Sequence, residues 1–171
     1  MQYALIVLLL TACGYSPSRL DSPLISAARS GDAARVTQLV KQGADPNQHT
    51  DVNGWPALLH AVHKHQLATA AALLDAGADP NRGDPHGYTP LMMAAGYGDT
   101  DMVKLLLARG ASPRVADDRG ATPLDYARDG INDIDRFTLL RCQDDAARAL
   151  LAADPAQPRG KSWWARVKRC A

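Results

Sequence analysis

Glutamate is missing from this chain: all 18 acids among its 171 residues are Asp. A Glu general base is therefore excluded, and so is the helix-borne H-E-x-x-H zinc site. No apolar run approaches the roughly 20 residues that a helix needs to cross a bilayer; the longest is the eight residues 3–10. Charge of one sign is not in excess either, since 19 Lys and Arg face those 18 Asp for a net +1. That balance removes whole-molecule attraction to nucleic acid. Neither G-x-S-x-G, nor a phosphate-binding P-loop, nor a dinucleotide fingerprint occurs. The chain reads as a non-enzyme, without cofactor or metal.

What is present is an ordinary water-soluble composition, 46% apolar and 22% charged, in a length suited to one domain or a short repeat array. The charge is unevenly placed. No acid follows Asp154, while Arg159, Lys161, Arg166, Lys168 and Arg169 do, leaving fourteen cations against eighteen acids before them. Residues 155–171 are thus a basic tail, with Trp163 and Trp164 set among the cations. This composition suits a membrane interface or an acidic partner surface, and equally a solvated terminus.

The amino end is apolar, and its run closes with Leu10, Thr11, Ala12 and Cys13, followed by Gly14. The LTAC string resembles the lipobox of bacterial lipoproteins. The resemblance implies a signal peptide over 1–12, a lipid-bearing Cys13 at the start of the mature chain, and a polar tether over 13–19. The leader is short and takes its positive charge from the amino terminus alone. Several acyl chains on one cysteine, each buried methylene adding about 0.8 kcal/mol, anchor a protein stably where a single chain does not. Gly14 after the cysteine is similar to the sorting pattern of outer-membrane lipoproteins, which implies a cell-envelope location facing the periplasm.

From residue 20 to 154 the chain is periodic. Asp51, Asp84 and Asp117 are 33 apart, and Gly54, Gly87 and Gly120 keep the step, as do Leu58, Leu91 and Leu124 and Ala61, Ala94 and Ala127. Near-copies GADPN, GADPN and GASPR stand at 43–47, 77–81 and 110–114. The best unit, GYTPLMMAAGYGDTDMVKLLLARGAS at 87–112, resembles the ankyrin repeat. The resemblance implies an all-α solenoid of about four helix-turn-helix repeats with hairpin-like loops, acting as a monomeric protein-binding module.

The local chemistry agrees. Ser22, Thr89 and Thr122 each precede a Pro, which suits a hydroxyl N-cap with Pro in the first helical turn. Met102, Val103, Leu106 and Leu107 make a three-and-four stripe, and Gly110 is placed to end that helix in a left-handed conformation. Val36, Leu39, Val40 and Gly43 repeat the pattern, as do Leu73, Leu74 and Gly77. The last unit is irregular. After Ala127 its second helix is delayed to about 145–152, so residues 129–143 read as an insertion, with Ile134, Phe137, Leu139 and Leu140 covering the end of the stack.

The family binds partners through hairpin tips and first-helix ends. Carried onto this sequence, those positions include Val52, Asn53, Trp55, His63, Lys64, His86, Tyr88, Tyr97 and Arg119, with the aromatic residues on one concave strip. An alternative is a metal-binding or enzymatic accessory built on His60, His63 and His65, the first two projecting from the first helix and the third replacing a helix-ending Gly. Cys142 and Cys170 are either a disulfide or free thiols. Lipid attachment has a direct readout: fatty-acid label is expected on the wild-type chain in a bacterial host and absent from Cys13→Ala, while label retained by that variant contradicts the lipobox reading.

Overall fold

The structure, a computed structural model, describes residues 22–49, 53–129 and 144–156. Eight helices occur there in four pairs: α1 (Pro23–Ser30) with α2 (Ala33–Lys41), α3 (Ala57–His63) with α4 (Leu67–Asp75), α5 (Pro90–Tyr97) with α6 (Thr100–Ala108), and α7 (Pro123–Asp129) with α8 (Asp144–Ala153). No strand forms among the described residues, only an isolated antiparallel bridge between His49 and Pro56. The all-α repeat solenoid expected from the sequence is the fold observed. None of the described helices is long and apolar enough to cross a membrane.

Short helices of seven to ten residues need their ends defined. The hydroxyl caps are in place: Ser22 accepts from the Ile25 N–H at 3.3 Å and Thr89 from the Met92 N–H at 3.3 Å, each with Pro next in line. Thr122 does the same for the Asp125 N–H at 3.4 Å. The second helices are capped too, by Asp32 on the Arg35 N–H (2.8 Å) and Asp99 on the Met102 N–H (3.1 Å). In the second repeat Pro56 and Gln66 occupy the equivalent cap positions, and neither supplies a side-chain cap. That pair of helices relies on its neighbours more than the others do.

Between the two helices of a repeat the backbone reverses through a left-handed residue. Gly31 and Gly98 take it at φ +81° and +67°. His65 holds the same place in the second repeat at φ +55°, the one non-glycine with positive φ among the described residues. Its imidazole is tied to the next repeat, with Nδ1 2.9 Å from the Asp99 carboxylate.

Two layers result. First helices stack on first helices, α1 on α3, α3 on α5 and α5 on α7, while α2, α4, α6 and α8 form the outer row. Leu24, Ile25, Val36, Leu58, Leu59, Leu73, Leu91, Met93, Met102, Val103, Leu106 and Leu150 are buried between them. Leu107, placed by its spacing on the buried stripe of α6, is only half-buried, as are Val40 and Leu74 in the corresponding places.

The repeats are also stitched through polar groups. The side chain of Asn47 donates to the Gly77 carbonyl (3.1 Å) and accepts from the Asp79 N–H (2.8 Å). Asn81 does the same to Gly110 (3.2 Å) and Ser112 (2.7 Å). In the third copy the Asn is replaced by Arg114, whose guanidinium forks onto both carboxylate oxygens of Asp154, at 2.7 Å through Nη2. The longer side chain reaches the end of α8, so the delayed last helix is held where the next repeat's loop would otherwise bond. The helix expected near 145–152 is α8; of the insertion read at 129–143, Asp129 closes α7, while residues 130–143 with the proposed capping residues, together with Val52, Cys13, Cys142, Cys170 and the tail beyond 156, lie outside the described residues.

Each Asn bridge replaces two bonds to water, at a net gain of about 1 kcal/mol per bond. Asn81→Ala is therefore expected to lower stability by about 1–2 kcal/mol in urea unfolding, whereas Gln48→Ala, at an exposed loop position, stays within about 0.5 kcal/mol. Equal effects would remove the ladder's role.

Candidate functional site

Two of the Asp residues spaced by 33, Asp84 and Asp117, build their loops. In the loop after α4, Asp84 Oδ1 accepts the N–H groups of His86 and Tyr88, both at 2.9 Å, and the Asp84 N–H donates to the Tyr88 carbonyl. Asp117 repeats the device with Arg119 (3.0 Å) and Ala121 (2.8 Å). Gly87 and Gly120 allow the turn, at φ +78° and +77°. The residues between are thereby lifted to exposed tips: Pro85 and His86 in one loop, Asp118 and Arg119 in the next. Adjacent tips touch. The Asp118 N–H donates to the His86 carbonyl at 2.9 Å, and His86 Nδ1 lies 3.0 Å from the Asp118 carboxylate. One loop earlier, a Cβ on Gly54 would come within 2.6 Å of the Pro85 ring, so the hairpins pack without room for a side chain there.

Below the tips the aromatic residues sort into two groups rather than the one strip expected. Trp55 packs on His63, ring centroids 5.5 Å apart and edge-on, and on His60 at 5.3 Å. His63 Nδ1 then meets the Tyr97 hydroxyl at 2.7 Å, and His65 closes the series on the Tyr97 ring at 5.1 Å. Tyr88 belongs to the second group, edge-on to Tyr126 at 5.0 Å. The Tyr126 hydroxyl donates to Asp117 at 2.7 Å, and the Arg119 guanidinium sits 5.9 Å above the Tyr126 ring. Trp55, His63, Tyr88 and Tyr97 are half-buried; Asn53, Lys64, His86 and Arg119 are exposed.

Tyr126 and Asp117 are the residues that sequence reasoning passed over as a site. The signal was available: Tyr126 is 33 residues after Met93, in the column of the first helix that also contains His60. Asp117 is buried, which pushes its carboxyl pKa up, but hydrogen bonds from Tyr126, Ala121 and Arg119 outweigh the burial and hold it below the usual carboxylate range. Tyr126 responds in the opposite sense, its hydroxyl pushed up to about 12, first by burial and then by its bond to Asp117. Burial raises Tyr88 further still.

His60 corrects the expectation that it projects from the first helix onto the concave face. It is 6% exposed, and among the described residues its Nε2 meets no hydrogen-bond partner. Burial, followed by the positive charges of Arg29, His63 and Lys64, lowers its pKa to about 4. The three histidines of the metal alternative do not converge: His60 lies against Trp55, His63 is engaged with Tyr97, and His65 with Asp99. Among the described residues no group of three or more His, Cys, Asp or Glu is arranged to hold a metal ion.

Comparison with known families agrees with this architecture. A model for ankyrin repeats in many copies matches residues 73–127, and one for three ankyrin copies matches residues 2–84, the latter reaching into the segment read above as an export signal. Together they span 2–127, and the chain belongs to the ankyrin-repeat family. Among curated proteins, 2-5A-dependent ribonuclease of Mus musculus is 43% identical over 74 residues, 43% of this chain and 10% of that one. An ankyrin repeat-containing protein of Treponema pallidum is 35% identical over 106 residues, 60% of this chain and 36% of its own length. Human mitochondrial disaggregase is 42% identical over 69 residues, 40% of this chain and 10% of that protein. This chain thus spans between a tenth and about a third of those relatives. An ankyrin array is a protein-interaction module, and that is what the fold provides here.

Buried, and with an Nε2 that meets no hydrogen-bond partner among the described residues, His60 is expected to make the array acid-sensitive. An imidazole in the unfolded chain takes up its proton near pH 6.5, the folded one only near 4. Its contribution is therefore complete above pH 6.5 and is lost as pH falls through 6.5 toward 4, by about 2–3 kcal/mol. Asp117 and Asp154 are held below the ordinary carboxylate range, so their own losses begin only near pH 4 and below. Urea unfolding at pH 7.5 and 4.5 is expected to show the drop for wild type and to have it removed in His60→Met, which carries the residue found 33 positions later. An identical drop in that variant assigns the acid sensitivity elsewhere.

Proposed function

We propose that this chain is a protein-binding module tethered in the bacterial envelope through Cys13, gripping a periplasmic partner and thereby inhibiting or stabilising it. The partner is either a toxin that the module neutralises or an envelope enzyme that it protects. The observation that carries the reading is the paired presentation of hairpin tips and first-helix ends. His86, Arg119, Asn53 and Lys64 stand exposed around two half-buried ring groups, and the loop backbone holding them is fixed by Asp84 and Asp117. Rigid aromatic side chains with exposed polar neighbours are the usual composition of an interface centre and its rim. Trp55 and Tyr88 also pack against the core. Replacing both by Ala therefore reduces stability as well as contact area, so the surface is better probed at exposed positions.

A photo-crosslinking residue placed at Lys64 or His86 of the anchored chain is expected to trap one discrete envelope protein, and the same residue at Gln38 on the outer row is expected to trap none. Adducts from Gln38 alone would turn the binding face around. Whether the module restrains or protects is then read from the trapped protein's activity with and without it.

A further inference from the structure

Asparagine followed by glycine occurs once in this chain, at Asn53 and Gly54; the other Asn residues, 47, 81 and 132, precede Gln, Arg and Asp. Such a pair is reactive because glycine has no Cβ beside its nitrogen, which can therefore approach the carboxamide carbon of the preceding side chain. The fold requires the glycine here. Its φ is +67°, and a Cβ would lie 2.6 Å from the Pro85 ring. The fold also brings Asn53 to the surface, in the hairpin-tip column that the exposed His86 and Arg119 continue.

The local geometry favours reaction at this residue. The Trp55 N–H donates to Asn53 Oδ1 at 3.2 Å. The loop closed by that bond contains every atom that would form a ring if the Gly54 nitrogen joined Asn53 Cγ. The peptide plane carrying the N–H is itself held, since the Gly54 carbonyl on the same plane lies 2.7 Å from His49 Nδ1. From the next repeat, Arg82 Nε donates to His49 Nε2 at 2.8 Å. An imidazole nitrogen that accepts from a guanidinium has no proton, so the neutral ring carries its hydrogen on Nδ1 and donates it to the carbonyl. Asn47 and Asn81 are placed differently. Each uses both side-chain heteroatoms to bond the following loop's backbone, bonds that attack on its Cγ would disrupt.

We propose that Asn53 and Gly54 form a self-modifying site, where water converts the Asn53 carboxamide to a carboxylate in the folded chain. The Gly54 nitrogen gives its proton to solvent and bonds to Asn53 Cγ. Negative charge gathers on Oδ1, where the Trp55 N–H stabilises it. The Cγ–Nδ2 bond then breaks, and ammonia leaves with a proton taken back from solvent. Water opens the resulting cyclic imide at either carbonyl, giving Asp or an isoaspartyl link in which the chain runs through Cβ. One water is consumed and one ammonia released, with nothing oxidised or reduced. His49 and Arg82 are positioning residues, acting through the Gly54 carbonyl. Either product sets a negative charge in the tip column, and the isoaspartyl form also lengthens the backbone where it packs on Pro85. The modification does not depend on what the binding face grips.

The test keeps the full chain in neutral detergent micelles at pH 7.5 and 37 °C for several days. Fragment mass spectra assign the exchange of NH2 for OH to a residue, and labelling by an isoaspartyl methyltransferase reports the rearranged product. Conversion is expected at Asn53 ahead of Asn47, Asn81 and Asn132, and is expected to be absent at position 53 of Asn53→Gln. His49→Ala should slow it about fivefold, the worth of one ordering hydrogen bond, and His49→Asn, which keeps a donor in reach of the carbonyl, should restore most of the rate. Unfolded in urea, wild type and both His49 variants should react alike at Asn53, a comparison that separates positioning from mere stability. Conversion of Asn53 confined to the unfolded chain, another Asn converting first, or equal folded rates for wild type and His49→Ala would each overturn the site.

Discussion

A pair of helices eight and nine residues long cannot hide its apolar face by itself, so each repeat of this chain is ordered only against the next one. Everything else in the structure follows from keeping neighbours in register. The apolar part is carried by Leu24, Leu58 and Leu91 on the inner row and Val36, Leu73 and Leu106 on the outer. The polar part is carried by Asn47 and Asn81, whose side chains each close two bonds into the following loop. Because one lattice spaces both sets, the hairpin tips emerge at regular intervals on one side. A binding face is thus a by-product of the same packing that makes the chain fold.

The last repeat shows how the rule is met when the period is broken. Asn gives way to Arg114, and the partner of that side chain is Asp154, just past α8. The second repeat shows the opposite economy. It lacks side-chain caps on both helices and puts His65 where glycine serves its neighbours, and it compensates through contacts that cross to the next repeat: His65 to Asp99 and His63 to Tyr97. Three of the five histidines fall in this one unit, at positions 60, 63 and 65.

Much of this was legible from the residues. Period, helix pairs, hydroxyl caps, left-handed glycines and the displaced final helix all leave local marks, because a cap or a reversal is decided within four residues of itself. The Asp-centred hairpins were equally clear. What the sequence hid is decided across repeats. Nothing local says that Tyr88 meets Tyr126 rather than Trp55, or that His60, polar and next to two other histidines, lies inside. The Asn ladder was visible as repeated GADPN, yet its bonds reach about 30 residues away, and only the stacked geometry supplies their acceptors. The lipidation proposed at Cys13 belongs to a third kind, a matter of enzymatic recognition that folding physics does not report.

Which side of the array grips the proposed partner is open to direct measurement. Hydrogen–deuterium exchange on the anchored chain, with and without the partner isolated on it, reads that side directly. Slower exchange confined to the loops around His86 and Arg119 and to the end of α3, with α2, α4 and α6 unchanged, is the predicted pattern. Protection concentrated on the outer row, with the hairpin tips exchanging as before, would contradict it.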